Sequence, residues 1–201
     1  MILLGTNTSP YVRKVRLTLL EKNIPHTYLI DAPNDPGSQV ALNNPLGRIP
    51  ALILDDKTCI YDSTVIAEYV DTLNNTPKLI PRHDNLARMR VKRWEALADG
   101  VMDSAIIVRN ERMRPANKQE EENISHHSTT ISRALAHASM QLDDQEWCEG
   151  TDITLADLAL FSALVYLDLR LPELDWRATH YNLKTWFERM SNRQSVITSL
   201  A

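Results

Sequence analysis

Only two cysteines occur in the 201 residues, Cys59 and Cys148. They stand far apart and form no CxxC pair, so no disulfide framework is expected; they read as reduced, partly buried thiols of a cytoplasmic protein. A basic surplus is missing too. Lys and Arg number 22 against 26 Asp and Glu, a formal net charge of −4. General nucleic-acid binders normally carry the opposite balance, so nucleic acid is not an expected partner. The basic cluster Arg88, Arg90, Lys92 and Arg93 is interrupted by apolar residues at helical spacing and reads as one face of a helix. No apolar run approaches the roughly 18 residues of a membrane span, so no membrane is expected. The N-terminal stretch MILLGTNTSPYVRK has no basic segment followed by a long apolar one, so no secretory signal is expected. The six histidines form no HxxxH pair and no His/Cys cluster. His126 and His127 are adjacent and would face different ways on a helix, so no metal is expected. Internal repeats and low-complexity segments are also lacking.

What is present suits a globular chain with a real core: 43% apolar and 24% charged residues. Ile2 to Leu4 is a short apolar run ending at Gly5 and reads as a strand. Ser9-Pro10 reads as a helix start, with Ser as N-cap and Pro at the first helical position. Val12, Val15, Leu19 and Leu20 follow at helical spacing, and Lys22, Asn23 and Pro25 close that helix. Thr27 to Ile30 reads as a second strand and Asp31 to Gly37 as a loop. Ala51 to Leu54 and Thr58 to Tyr61 flank the polar turn Asp55-Asp56-Lys57 and predict a hairpin. Asp62-Ser63 then opens a helix with Val65, Ile66, Tyr69, Val70 and Leu73 as its apolar positions. This order, β-α-β and then β-β-α, implies a mixed sheet covered by helices.

From Asn74 to Asp84 the chain is polar, with Pro77 and Pro81, and reads as a linker. No strand pattern appears beyond it. Leu86 to Met113 is one long helical pattern containing Gly100, and Lys118 to Leu142 is a second after the break at Pro115. Thr154 to Asp157 has the form of a capping box with Asp in place of Glu or Gln. It opens Leu155 to Leu169, apolar on most sides and therefore expected at the centre of its domain. Leu183 to Met190 is a last helix.

One stretch resists this reading. NPLGRIPALIL, residues 44–54, places Pro50 directly ahead of a strand, although proline cannot donate a ladder hydrogen bond. Four segments in order, TSPYVRK, GRIPAL, YDSTVIAEY and ITLADLAL, together resemble the glutathione S-transferase superfamily over essentially the whole chain. The segment RWEALADGVMDSAIIVRNERMRP looks like the bacterial YibF-type members. The resemblance implies a thioredoxin-like α/β domain at residues 1–76, a linker at 77–84 and an all-helical domain at 85–201. It implies a cytoplasmic homodimer with glutathione as co-substrate and no metal.

The resemblance also distributes roles. It makes Pro50 cis, leaving the N–H and C=O of Ile49 free to pair with an extended peptide, the cysteinyl unit of glutathione. A trans-proline at an ordinary strand start is the plainer alternative. Ser63, in the first turn of its helix, would receive the γ-glutamyl carboxylate through its amide and hydroxyl. Asp62 would pair with the ligand's ammonium. Both are also ordinary N-cap residues. Ser9 would be the catalytic residue, donating a hydrogen bond to the glutathione thiolate, with Thr8 as the alternative donor and a plain N-cap as the alternative role. Arg48 would meet the glycine carboxylate or else be a solvated charge. Thr154 and Asp157 are structural. The implied reaction transfers the thiol to a small hydrophobic electrophile, or reduces a peroxide, against an apolar wall that includes the helix Leu86 to Met113. The rival reading is a non-catalytic interaction module of the same architecture, of the stress-response or RNA polymerase-associated type.

Overall fold

The computed structural model describes residues 1–200. A four-stranded sheet is built from β1 (Ile2–Gly5), β2 (Thr27–Ile30), β3 (Ala51–Ile53) and β4 (Cys59–Tyr61), in the order β2-β1-β3-β4. β1 and β2 run parallel, as a crossover through helix α1 (Pro10–Glu21) requires. β3 is antiparallel to both β1 and β4. The hairpin closes where Leu54 N–H donates to the Thr58 carbonyl at 2.8 Å. Helix α3 (Ser63–Thr72) follows β4. Leu3, Val12, Val15, Leu19, Leu52, Ile66 and Val70 form a buried cluster between the sheet and these two helices. The thioredoxin-like sheet followed by an all-helical region is therefore the architecture of this chain.

Helices α4 (Asn85–Arg112), α5 (Glu121–Leu142) and α6 (Leu155–Arg170) make up most of the rest. Gly100 does not interrupt α4. The residues of α6 are almost all buried, as expected of a helix that is apolar on most sides. A short 3₁₀ turn at Ala116–Lys118 precedes α5, so that helix starts three residues later than its sequence pattern predicts. Three short helices escape the pattern altogether: α2 (Val40–Asn43), α7 (Trp176–Thr179) and α9 (Gln194–Leu200). Two of them have four residues, little more than one turn, too few to display a helical period. Helix α8 (Tyr181–Ser191) includes the last helix that the pattern predicts.

The chain divides into two compact units, one of Met1–Arg82 with the segment from Arg193 on, the other His83–Asn192. The first unit thus keeps residues 77–82, which the sequence reads as linker, and takes in the last residues, which it reads as part of the helical domain. Lys22 supplies the first reason. Its ammonium is fully buried and donates to Asp71 Oδ1 at 3.0 Å and to the carbonyls of Asp71, Asn74 and Pro77 at 3.1, 2.9 and 2.6 Å. A buried charge needs such partners, and these partners bind the segment after α3 to α1. Leu79 and Ile80 are buried in consequence of the same path, and the Thr76–Pro77 bond within it is cis. Glu21 supplies the second reason. It accepts two bonds from Arg193, both at 2.8 Å, and one from the Ser195 hydroxyl at 2.5 Å.

Candidate functional site

The antiparallel register gathers three segments at one end of the sheet. Leu4 of β1 pairs with Ala51 of β3, and Ala51 pairs with Tyr61 of β4. These residues form one row across the strands. Beyond Leu4 the chain turns through Gly5 to Ser9; just before Ala51 lie Arg48, Ile49 and Pro50; just after Tyr61 lie Asp62 and Ser63. The fold brings these positions together although they come from three separate stretches of the sequence.

Ser9 is the N-cap of α1, in extended backbone, and its Oγ accepts from the Val12 N–H at 3.3 Å. Capping uses the oxygen as acceptor. The hydroxyl proton remains to be donated, so the cap and a donor role are compatible. Gly5 lets α1 lie this close to β1. A Cβ there would fall 2.5 Å from Val12 Cγ2, far inside contact distance. Thr8 is exposed on the same turn.

The Ile49–Pro50 peptide bond is cis. The Ile49 side chain packs against both apolar clusters of the first unit, while its backbone N–H and C=O make no hydrogen bond among the described residues. Arg48 is exposed and its side chain has no partner among the described residues. The sequence offered no role for Asn44, which organises this loop. It is 1% exposed. Its Nδ2 donates to the Arg48 carbonyl at 2.7 Å and its Oδ1 accepts from Leu46 N–H at 3.0 Å. Its own N–H donates to the carbonyl of Val40, the first residue of α2, and its carbonyl accepts from Gly47 N–H. The signal was the Asn44-Pro45 pair: Asn closes a turn on the amide two residues ahead, here that of Leu46.

Asp62 is the N-cap of α3, with φ +71° and ψ 126°. A non-glycine residue in that region costs on the order of 1–3 kcal/mol. Its Oδ1 offsets part of that by accepting from Thr64 N–H at 2.9 Å and Val65 N–H at 3.5 Å. Ser63 follows at the first helical position, 6% exposed. Neither its amide nor its hydroxyl has a partner among the described residues. A helix start with an unpartnered N–H and hydroxyl is suited to accept a carboxylate.

The chain's own thiols are poor nucleophiles. Burial pushes the Cys59 thiol up, and burial, with Asp157 beside it, pushes Cys148 well above the ordinary thiol range. The Thr154/Asp157 pair lies in the helical unit and is closed on itself: Asp157 Oδ2 accepts from the Thr154 N–H and hydroxyl, and its Oδ1 accepts from Cys148 N–H. Burial holds Asp157 above the usual carboxylate range despite these bonds. The helical unit also has a groove of about 280 Å³ lined by Arg93, Trp94, Ala96, Leu97, His137 and Gln141, which contains none of the residues gathered at the sheet end. Among the described residues no helix is long and apolar enough to cross a membrane, and no group of three or more His, Cys, Asp or Glu is placed to hold a metal.

The family described as glutathione S-transferase, N-terminal domain, matches residues 8–73, and the corresponding C-terminal domain matches residues 121–189. The uncharacterized GST-like protein YibF of Escherichia coli K12 is 36% identical over 97% of this chain and 96% of its own. A glutathione S-transferase from Methylobacillus flagellatus KT, solved with glutathione bound, superposes with a TM-score of 0.95 at 40% identity, covering 98% of each chain. A glutathione transferase family member from Pseudomonas fluorescens Pf-5, solved with S-(propanoic acid)-glutathione, superposes with a TM-score of 0.86 at 36% identity, covering 99% of this chain and 98% of its own.

Proposed function

As this chain belongs to the glutathione S-transferase family, we propose that it binds glutathione at the sheet end and activates its thiol through the Ser9 hydroxyl. The observation that carries this reading is the row Leu4–Ala51–Tyr61. It supports a site in which the Ile49 backbone pair, the Ser9 hydroxyl and the Ser63 helix start surround one space, the set an extended γ-linked tripeptide would use. The cysteinyl backbone pairs with Ile49, the γ-glutamyl carboxylate meets Ser63, the ammonium meets the second oxygen of Asp62, and Arg48 faces the glycine carboxylate.

The sulfur then lies near Ser9 and the first turn of α1. Lowering its thiol pKa by two units takes about 2.7 kcal/mol of preference for the thiolate. A charge-assisted hydrogen bond supplies roughly 1.5–3 kcal/mol, and the helix end adds about 0.3–1 kcal/mol. Those two terms are sufficient. The thiolate attacks an electrophilic carbon, a C–S bond forms, and the displaced pair leaves with its group or is protonated on the acceptor. With a peroxide it attacks oxygen instead: an S–O bond forms, the O–O bond breaks, the alkoxide takes a proton, and a second glutathione thiolate displaces hydroxide from the sulfenic acid, giving the disulfide and, on protonation, water. Ser9 activates the nucleophile and is not itself one. The conjugate bound to the Pseudomonas relative supports C–S bond formation with a small electrophile. The protein is read as a cytoplasmic homodimer acting in detoxification.

The test is a calorimetric titration of reduced glutathione near neutral pH, with Ser63→Ala alongside. Saturable binding is expected, weakened about tenfold by loss of the hydroxyl's bond to a charged group. No heat and no thermal stabilisation at millimolar ligand would replace this reading by a non-catalytic interaction module. Binding without turnover of any electrophile or peroxide would keep the anchor and remove the chemistry.

A further inference from the structure

A second polar cluster lies on α1 and uses none of the residues assigned to glutathione. Arg13 and Arg16 are three residues apart on the helix and share a face. Arg13 Nη2 donates to the Asn7 carbonyl at 3.1 Å, and Arg16 Nη1 donates to Asn7 Oδ1 at 3.3 Å. Two guanidiniums thus converge on one exposed residue. Among the described residues neither has a carboxylate partner, in a chain whose acids outnumber its bases. Other arginines do have one: Arg90 with Glu149, Arg112 with Glu173, Arg114 with Glu111, Arg177 with Asp168 and Arg193 with Glu21.

The pair is also held in place. The Arg16 guanidinium lies over the Tyr28 ring of the edge strand β2, 4.2 Å from its centre, a stabilising cation–π contact. Burial, and then the Arg16 charge beside it, lower the Arg13 pKa. The Tyr28 hydroxyl and Arg16 Nε are enclosed and without a partner among the described residues. Both Asn7 oxygens are engaged, which leaves its amide N–H₂ group. The polar groups that remain outside this enclosure, guanidinium Nη–H and amide N–H, only donate.

We propose that Arg13, Arg16 and Asn7 form a binding site for a phosphate group, free or carried on a small ester. A carboxylate is satisfied by one guanidinium fork, whereas a tetrahedral dianion offers oxygens to two forks and matches two positive charges. The site is independent of the glutathione reading and stands or falls separately from it.

The experiment titrates inorganic phosphate, and separately glycerol 2-phosphate, into the intact protein by calorimetry at constant ionic strength. One saturable site per chain is expected, with a dissociation constant on the order of 1 mM or tighter. Arg13→Gln, which leaves the Arg16–Tyr28 stack in place, is expected to weaken it about tenfold or more. Asn7→Asp places a carboxylate beside both guanidiniums; it is expected to raise the thermal midpoint and to abolish phosphate binding. Tighter binding of the ester assigns the site to an esterified phosphate, and tighter binding of inorganic phosphate to the free ion. Absence of saturable heat overturns the proposal. So does equal binding by wild type and Arg13→Gln, with equal thermal stabilisation by phosphate, since that is general exclusion of the salt from the surface.

Discussion

At the start of α6 the capping pair Thr154 and Asp157 is turned inward. Asp157 accepts from the Thr154 amide and hydroxyl and from the Cys148 amide, and both residues of the box are buried. The starts of α1 and α3 draw on the same small set of residues, Ser and Asp, and close only in part. Ser9 accepts one bond and retains its proton. Asp62 caps with one oxygen and leaves the Ser63 amide and hydroxyl without a partner among the described residues. N-cap chemistry is the same in all three places. The difference lies in burial and in whether the donors find internal partners. A closed start contributes stability, whereas an open one holds donors in position for a ligand that has yet to arrive.

This contrast can be broken first at the closed end. Asp157→Ala should cost about 3 kcal/mol in urea unfolding, because it removes the cap and leaves buried amides unpaired, and it should leave the glutathione affinity of the folded protein unchanged. A comparable loss of affinity would erase the distinction. Ser9→Ala should behave in the opposite way: turnover with an electrophile falls about a hundredfold and the thiol pKa of bound glutathione rises, while stability drops by about 1 kcal/mol and binding persists. Unchanged turnover would remove Ser9 from the chemistry. The smallest effect is expected from Asp62→Asn. Asn caps as well as Asp, so stability should hold within about 0.5 kcal/mol, but loss of the charge opposite the ligand's ammonium should weaken glutathione about threefold. Side-by-side unfolding and calorimetry of the three variants measures both axes.

These starts were legible because they are local. Ser9-Pro10, Asp62-Ser63 and the Thr154–Asp157 box each occupy a few consecutive positions, and a cap is an interaction over two or three residues. The strands and long helices were legible from their periods. The row Leu4–Ala51–Tyr61 needed the register, which follows from a hairpin and a crossover but is not written in any one segment. Lys22 was illegible for a different reason. Lysine is rarely buried, and its four acceptors lie about fifty residues onward. Asn44 had no role in the sequence reading, because nothing in the sequence shows that its amide reaches forward to the Arg48 carbonyl.

The bond between Glu21 and Arg193 spans 172 residues, and that span has a temporal meaning. On the ribosome, Glu21 is made well before Arg193 and Ser195, so the clasp that holds this carboxylate cannot form until the residues between them have been made. Until then α1 presents to its surroundings the side that α9 later covers. The sheet unit is therefore begun before the helical unit and completed after it, and a chaperone that attends the nascent chain would have to shield that side of α1 through the making of the whole helical unit.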